Sequence, residues 1–390
     1  MHNESVMILS ARRTPIGAFC GVLSGLSACE LGAAALRDAA ARARFEADAV
    51  DEVLMGCVLP AGLGQAPARQ AARGAGLADA VGATTVNKVC GSGLKAVMLG
   101  YDMIRAGSAR RILAGGMESM SNAPHLLPRS RRGWRMGSAN VEDHMMLDGL
   151  EDADESEPMG VYAERCAHHY GFTRGEQDAF ALASLERVLA ARGAGEIVPL
   201  TVAARVGDIV VDADEPPARA RPDKVATLAP AFVAGGTVTA ANSSSLADGA
   251  AALALAPLSE AERLGATPLA RIVGHAAWAQ EPAWFTTAPV GAIDRLLTRL
   301  GWTVDDVDLF EINEAFAVVV LAAMRELKLP HEKVNVRGGS CALGHPIGAS
   351  GARIVVTLLA ALEERGLRRG VASLCIGGGE AVALAVERVV

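Results

Sequence analysis

Cys90 is the residue whose setting in this sequence most favours covalent chemistry. It follows a strand-like run and comes directly before a Gly-Ser-Gly turn that opens an apolar helix, in the segment VNKVCGSGLKA. Free N–H groups and the macrodipole at a helix N-terminus stabilise a thiolate relative to the thiol. The glycines would let a reacting acyl group approach the backbone closely. The pattern favours a nucleophile, although most single cysteines in such a chain are merely buried.

Three other segments combine reactive side chains with positions that expose them. His345 precedes a proline in the glycine-rich run CALGHPIGASGAR; a lone histidine is more often structural, but an irregular loop can present a base. Cys375 ends an apolar strand and meets three glycines, whose N–H groups could bind an oxyanion. Asn313 and Glu314 end the strand DLFEI, where amides and carboxylates commonly line clefts.

Alternating strands and helices are predicted to hold these segments. Residues Val6–Ser10 predict a strand, Ser27-x-x-Glu30 predicts a capping box at a helix start, and DEVLMGCV predicts the next strand. Strand, helix and strand at this spacing are typical of a parallel sheet with helices on its faces.

The unit that begins at Cys90 is repeated near the C-terminus. CGSGLKAVMLGYDMIRAG predicts a helix and RRILAGG a strand, and GHPIGASGARIVVTLLAALEERG followed by VASLCIGGG has the same order. The second copy is slightly longer between the helix start and the glycines. The sequence therefore predicts two similar α/β halves built from a duplicated unit.

A segment of different amino-acid composition separates the two copies. It is rich in Met, Arg, Asp and Glu, and it contains one clear helix, QDAFALASLERVLAAR, among long irregular stretches. We expect a loop-rich subdomain that covers a site. The predicted domains are an N-terminal half of residues 1–117 and 242–267, an inserted subdomain 118–241, and a C-terminal half 268–390.

Composition and charge exclude some classes of protein. Apolar residues make up 51% of the chain and charged residues 21%, as in a globular protein. The formal net charge of −7 argues against a nucleic-acid-binding platform, which normally needs a basic face. The basic stretch from Arg129 to Arg135 is either a solvated loop or part of a docking or anion-binding surface.

Cysteine usage and the N-terminus indicate the compartment. The first predicted strand begins near Val6, which leaves no room for a signal or transit peptide, and no apolar run approaches the roughly 18 residues of a membrane span. We expect a cytoplasmic protein without membrane insertion. The cysteines are odd in number and lack C-x-x-C or metal-type spacing, which favours a reducing compartment: Cys20, Cys29, Cys57, Cys90, Cys166, Cys341 and Cys375.

Four segments together resemble the active-site segments of the thiolase family: NKVCGSGLKA, NEAFA, GGSCALGHPIGASGAR and CIGGGEA, in this order. The similarity runs almost end to end, from ARRTPIG through GGMESMSNAP and TVTAANSSSLADGAA to the last strand. It implies an α/β fold in which duplicated βαβ halves form a layered αβαβα core with an inserted loop-rich subdomain. It also implies a homodimer or homotetramer.

By this resemblance the chain is an acyltransferase of fatty acid metabolism. It would act by reversible ping-pong transfer through a thioester on Cys90, condensing two acetyl-coenzyme A (acetyl-CoA) molecules to acetoacetyl-CoA or cleaving 3-ketoacyl-CoA with CoA. His345 would activate Cys90, and Cys375 would handle the α-proton of the second acyl group. Asn313 would hold a water that, with His345, binds one thioester oxygen. The backbone N–H groups of Cys90 and Gly377 would form a second oxyanion hole.

The resemblance also implies contacts to CoA, the substrate carrier, and no metal or tightly bound cofactor. Ser244, in ANSSSLADG, matches a family position that contacts the pantetheine arm. The segment ARARPDKVATLAPAF is shorter than its family counterpart. Within it, Arg221 is the residue predicted to contact the nucleotide phosphates of CoA. Arg337 and Cys341 stand where the family more often has Asn and an apolar residue, and both are expected to flank the site.

Two alternative functions predict different residues in these segments. A decarboxylating condensing enzyme of the same fold would pair its nucleophile with two histidines or with a histidine and an asparagine, whereas Cys375 precedes the glycines here. A non-catalytic acyl-CoA-binding protein would be expected to lack at least one of Cys90, Asn313, His345 and Cys375. All four are present, which favours the thiolase.

Overall fold

The computed structural model describes residues 4–191, 195–203 and 207–389. Within these ranges the strands are, in chain order, β1 (Val6–Arg13), β2 (Gly17–Ala18), β3 (Glu52–Gly56), β4 (Gly82–Val86), β5 (Ile112–Ser119), β6 (His125–Leu126), β7 (Glu142–Asp143), β8 (Leu200–Val202), β9 (Ile209–Val211), β10 (Ala247–Pro257), β11 (Ala270–Ala279), β12 (Leu309–Ile312), β13 (Arg369–Ile376) and β14 (Glu380–Arg388). The α-helices are α1 (Ala28–Arg42), α2 (Pro67–Gly74), α3 (Ser92–Ala106), α4 (Met159–Tyr170), α5 (Arg174–Ala190), α6 (Glu215–Arg219), α7 (Leu258–Leu264), α8 (Ala288–Leu300), α9 (Ala317–Leu327), α10 (Ser340–Leu343) and α11 (Ile347–Glu364).

One mixed sheet runs through the molecule in the order β12-β13-β14-β11-β1-β10-β5-β3-β4, with β2 paired to β10. Strands β3, β4 and β5 are parallel, as the strand–helix–strand pattern predicts, and so are β12 and β13. Strand β10 lies antiparallel between β1 and β5, and β14 lies antiparallel between β11 and β13. The strand–helix–strand pattern in the sequence does not predict these antiparallel strands.

Helices and sheet halves alternate in five layers. Helices α3 and α11 pack against each other in the centre, where α11 contacts β5 and β10 on one side and β12 and β13 on the other. Helices α1 and α2 cover the outer face of the N-terminal half, and α8 covers the outer face of the C-terminal half. This arrangement confirms the predicted layered αβαβα core. The domain boundaries given above stay a prediction.

The start of each repeated helix is held by close backbone contacts. A Cβ atom added to Gly351 on α11 would lie 2.4 Å from the backbone N of Leu94 on α3, and one added to Gly116 would lie 2.0 Å from the carbonyl O of Gly348. Only glycine permits this approach. The contacts bring the loops before α3 and α11, which carry Cys90 and His345, to one region of the molecule.

The region between β5 and β10 is loop-rich, as expected. It holds helices α4 to α6 and two short hairpins, β6–β7 and β8–β9, joined by long irregular segments. The capping box predicted from Ser27 and Glu30 is present at the start of α1, and Thr173 and Glu176 form another at the start of α5. The basic stretch lies between β6 and β7 and is exposed. Among the described residues, no helix has the length and hydropathy needed to cross a bilayer.

Candidate active site

Cys90 lies on a strained turn at the start of α3. Val89 before it has φ +45°, a left-handed conformation that is unusual for a β-branched residue. Side chains hold this turn: Asn87 Oδ1 accepts the N–H of Val89 at 2.9 Å, and Ser92 Oγ donates to the Val89 carbonyl at 2.6 Å. Ser92 Oγ also accepts the N–H of Lys88 at 2.8 Å. The turn therefore presents Cys90 in a fixed, partly buried position.

The environment of Cys90 favours the neutral thiol. Burial raises its pKa to about 11, and the charge of Glu118 acts in the same direction. The backbone N–H groups of Gly377 and of Cys90 itself oppose this by lowering the pKa. The expectation that the helix start would favour the thiolate was therefore wrong in its net effect, because burial outweighs the N–H groups. Cys90 needs a base to become a nucleophile.

His345 has the protonation state of such a base. It is buried in the loop between α10 and α11, and its backbone N–H donates to the Ser245 carbonyl at 2.9 Å. Its Nδ1 atom lies 2.5 Å from Ser350 Oγ, whose single hydroxyl hydrogen points to the Pro346 carbonyl at 3.0 Å. Nδ1 must then be the donor to Ser350, which leaves the lone pair on Nε2.

The pKa of His345 agrees with this assignment. Burial lowers it to about 3, and the positive charge of Arg353 contributes. At neutral pH the imidazole is therefore uncharged and its Nε2 atom can accept a proton.

Asn313 lies beside this lone pair. It follows the carboxyl end of β12 and is fully buried, and its backbone N–H donates to the Ser373 carbonyl on β13 at 3.0 Å. Its Nδ2 atom lies 3.5 Å from His345 Nε2. The structure thus brings together two residues that are far apart in sequence and that were both predicted as site residues.

Cys375 lies near the end of β13 in an apolar cluster with Tyr162, Phe285 and Phe316. It is 1% exposed, and burial raises its pKa well above the usual value. Charge on Cys90 raises the pKa further, so the two thiols are close enough to influence each other. The three glycines that follow form the turn between β13 and β14.

Arg221, one of the two residues predicted to contact CoA, lines a cleft of about 470 Å³ that we call the basic cleft. Three cationic side chains, Arg219, Arg221 and Lys224, line it together with Ser245. Arg221 is largely exposed and pairs with Asp223 at 3.2 Å. Arg219 pairs with Glu215 at 2.5 Å, and most of the other residues that line the cleft are apolar.

Ser244 precedes a residue of this cleft. Both its N–H group and its hydroxyl donate to the Ala315 carbonyl, at 2.9 and 3.0 Å. Since the hydroxyl hydrogen is used in this way, Ser244 Oγ is available as an acceptor.

Cys341 and Arg337, the two residues that differ from the usual family pattern, lie in separate parts of the structure. Cys341 lines the basic cleft, and its Sγ atom lies 3.7 Å from the Glu314 carbonyl. Arg337 instead pairs with Glu364 at 2.6 Å. Glu364 ends α11, about 27 Å along the helix from its start near His345. The expectation that Arg337 flanks the site was therefore wrong, because its guanidinium group is held at the far end of α11.

Sequence reasoning missed a polar row on α11. Ser350, Arg353 and Thr357 recur at helical spacing in a helix that is otherwise apolar and buried. That spacing was the available signal, because a buried polar row needs partners. Its partners are the side chains of the site: His345 for Ser350 and Asn313 for Arg353.

Glu118 is a second group that was missed as a site residue. It is fully buried beneath the site and accepts the N–H groups of Val58, Leu59 and Gly348 at 3.0, 3.2 and 2.8 Å. Burial raises its pKa to about 7 against these hydrogen bonds. Gly348 lies in the first turn of α11, so Glu118 ties the helix that follows His345 to the loop after β3. Among the described residues, no group of His, Cys, Asp and Glu side chains is arranged to hold a metal ion.

Comparison with known proteins agrees with this geometry. The model of the thiolase N-terminal domain matches residues 6–259, and that of the thiolase C-terminal domain matches residues 266–388. The acetyl-CoA acetyltransferase of Cupriavidus necator is 51% identical over 389 residues, which cover 98% of this chain and 99% of the relative. That of Allochromatium vinosum is 48% identical over 392 residues, covering 99% and 100%.

Solved structures agree as well. The Acat5 thiolase from Ascaris suum, crystallised in complex with coenzyme A, has a TM-score of 0.93 at 42% identity and covers 99% of this chain and 100% of its own. The Bacillus anthracis acetyl-CoA acetyltransferase has a TM-score of 0.96 at 41% identity and covers 99% of both chains. With both halves matched by the family models and relatives of this identity over the full length, the chain belongs to the thiolase family.

Proposed function

We propose that this chain is an acetyl-CoA acetyltransferase, which condenses two acetyl-CoA molecules to acetoacetyl-CoA and, in reverse, cleaves 3-ketoacyl-CoA with CoA. The observation that carries the proposal is a neutral His345 with its Nε2 lone pair beside Asn313, in a site with two protonated cysteines. The relatives described above, which are acetyl-CoA acetyltransferases, support it.

The first half-reaction transfers an acyl group to Cys90. His345 Nε2 accepts the thiol proton, and the sulfur attacks the thioester carbonyl carbon. The N–H groups of Cys90 and Gly377 stabilise the oxyanion, and their effect on the pKa of Cys90 supports this role because both act on charge at the sulfur. The C–S bond to CoA then breaks, and CoA leaves as a thiol with the proton from His345.

The second half-reaction forms or breaks the carbon–carbon bond. In the cleavage direction, the Cys375 thiol protonates the acetyl-CoA enolate that leaves, and its raised pKa keeps it in the required protonated form. In condensation, Cys375 passes its proton to His345 Nε2 and the resulting thiolate accepts the α-proton. The enolate then attacks the acyl carbon, the bond to Cys90 breaks, and the Cys90 sulfur takes the proton back from His345. A water held by Asn313, together with His345, binds the enolate oxygen.

For substrate binding, we assign Ser244 to the pantetheine arm and Arg221 to the nucleotide phosphates. Ser244 Oγ can accept an amide N–H, and Arg221 lines a cleft with two other cations. Cys341 and Ala342 of α10 line the same cleft, and the neighbouring Ser340 contacts Asn313. Helix α10 therefore connects the cleft to the Asn313 carboxamide.

Purified protein tests the function directly. We expect CoA-dependent cleavage of acetoacetyl-CoA, with the preferred chain length read from a graded series of 3-ketoacyl-CoA substrates. Cys90→Ala should abolish cleavage and condensation, while Cys29→Ala, which changes another buried cysteine on α1, should retain both. After incubation with acetyl-CoA, mass spectrometry should find acetyl on Cys90. Acetyl on Cys166, or on no cysteine, would overturn the assignment.

We also propose a cytoplasmic homodimer or homotetramer that takes part in fatty acid metabolism. All seven cysteines are free thiols, which supports a reducing compartment. Leu127, Trp134 and Met136 expose large apolar surfaces on the segment between β6 and β7, with Met136 97% exposed, which supports burial of this segment in an assembly.

A further inference from the structure

The carboxamide of Asn313 has two chemically different ends, and only one of them suits the site. Its Nδ2 group, a donor, lies 3.5 Å from the Nε2 lone pair of His345. If the amide were turned over, the lone pairs of Oδ1 would face the lone pair of Nε2. The site would then lose the N–H donor beside its base.

Two side chains hold the other end of the amide. Ser340 Oγ donates to Asn313 Oδ1 at 2.6 Å, and Arg353 Nη2 donates to the same oxygen at 3.3 Å. Arg353 Nη2 also donates to Ser340 Oγ at 3.2 Å, which directs the serine hydrogen to Asn313. A reversed amide would place N–H hydrogens against the hydrogens of both donors. The three side chains are at most 2% exposed, so water does not replace these bonds.

Arg353 is fixed independently of Asn313. Its Nη1 atom donates to Glu311 Oε1 at 3.1 Å and to Thr357 Oγ1 at 3.4 Å. Helix α11 thus carries Ser350, which sets the tautomer of His345, and Arg353, which faces Asn313. One rigid element determines which atoms of both polar site residues face each other.

We propose that Ser340 and Arg353 are positioning residues that keep the Nδ2 end of the Asn313 carboxamide toward His345 Nε2. The inference rests on the proposed function, because this N–H group is the donor that holds the water at the thioester oxygen. Ser340 acts through Asn313 and does not itself contact the reacting atoms.

The first test is Ser340→Ala, assayed for acetoacetyl-CoA cleavage. Loss of a single hydrogen bond to the amide should lower kcat about five- to tenfold, while KM stays within about twofold, because CoA and acyl contacts are unchanged. Ser10→Ala is the matched control: Ser10 is a buried serine whose Oγ donates at 2.6 Å to the Ala39 carbonyl, far from the site. It should keep the wild-type kcat even if its thermal midpoint falls.

The second test is the same change in an Asn313→Ala background. If Ser340 acts only through the amide, Ser340→Ala should have no further effect on the residual kcat there. Arg353→Lys keeps the positive charge but lacks the planar guanidinium group with its paired N–H donors. It should likewise lower kcat in the wild-type background and have no further effect on kcat in the Asn313→Ala background. A purely structural role would lower kcat equally in both backgrounds.

The outcomes separate this inference from the proposed function. The inference is overturned if Ser340→Ala has the wild-type kcat, or if Ser340→Ala lowers kcat equally in the wild-type and Asn313→Ala backgrounds. The proposed function still stands in either case, provided that the wild-type protein is active. A wild-type protein that neither cleaves acetoacetyl-CoA nor takes up acetyl on Cys90 overturns the function, and the inference with it.

Discussion

At the scale of single residues, burial acts in opposite directions on the acid and the base of the site. It raises the pKa of the Cys90 and Cys375 thiols and lowers that of the His345 imidazole. Both effects favour uncharged groups. The free enzyme therefore holds a thiol and a neutral imidazole rather than a thiolate–imidazolium pair, and charge develops only when the substrate is attacked.

Alkylation of Cys90 should report this state. Because its pKa is raised to about 11, the rate of reaction with iodoacetamide should rise about tenfold per pH unit from pH 7 to pH 9 without a plateau. The rate is followed by mass spectrometry of the peptide that contains Cys90. Alkylation of the other cysteines is measured separately in Cys90→Ala. A plateau near pH 7 would mean that the N–H groups of Gly377 and Cys90 outweigh burial.

The two cysteines should fail at different steps when mutated. Cys375→Ser should still take up acetyl on Cys90, because that half-reaction needs only His345 and an oxyanion hole. It should lose most carbon–carbon bond chemistry, since a hydroxyl is far less acidic than a thiol and proton transfer is commonly worth about 10²–10⁴-fold. Acetyl exchange between acetyl-CoA and labelled CoA is compared with acetoacetyl-CoA cleavage. Equal losses in a folded mutant would indicate that Cys375 only supports the site.

His345 should make folding stability depend on pH. Its pKa is about 3 in the folded chain and about 6.5 when unfolded, so between these values the unfolded state binds the proton and the folded state does not. The wild type should therefore lose about 1.4 kcal/mol per pH unit from this group as pH falls below 6.5. His345→Gln lacks this contribution. Urea unfolding of both proteins at pH 7 and pH 5 tests it, and parallel losses would contradict the assigned neutral state.

Residue types identified Cys90, Asn313, His345 and Cys375 as candidates, because each stands in a segment with glycine or at a strand end. The direction of the pKa shift at Cys90 could not be predicted in the same way. The direction of this shift depends on how deeply the rest of the fold buries the thiol. That burial outweighs the stabilisation of the thiolate by the N–H groups at the start of α3. The bond from Ser340 to Asn313 could not be predicted from the sequence either, because it joins the first residue of α10 to the residue that follows β12.

At the scale of elements, the contact between α3 and α11 depends on the absence of a side chain. Gly351→Ala would place a Cβ 2.4 Å from the backbone N of Leu94 and should destabilise the fold by about 1–3 kcal/mol. Gly175→Ala is the matched control, since this exposed glycine in α5 has no neighbour nearer than 3.9 Å to a new Cβ. It should stabilise by about 0.5–1 kcal/mol. Urea unfolding compares the two, and equal effects would argue against a tight helix contact.

The repeated helices and strands were predictable because each has its own local signal. Helix α11 has 18 residues and α3 has 15, in keeping with the longer second copy, and β5 and β13 have eight residues each. The positions of β10 and β14 in the sheet were not predictable, because a continuous apolar run does not indicate which strands it pairs with or whether the pairing is parallel.

At the scale of the whole molecule, light scattering should give a mass near 80 or 160 kDa, about two or four times the chain mass of 40.2 kDa. Replacing Trp134 and Met136 by serine should lower the mass if the exposed segment between β6 and β7 is buried between copies. Leu189→Ser is the control, because Leu189 is also an exposed apolar residue but lies on α5. A fully active monomer of the wild type would contradict the proposed assembly.

Strand β1 is made well before the strands that pair with it. It pairs with β10, which ends at Pro257, and through Val6–Ile8 with β11. At about 5–20 residues per second, the ribosome needs on the order of tens of seconds to reach β10. Until then β1 and β5 lack the strand that joins them, and both expose apolar edges. The nascent chain therefore has to remain without a closed N-terminal sheet until β10 has been made, which makes this stage the one at which a holding chaperone would protect it.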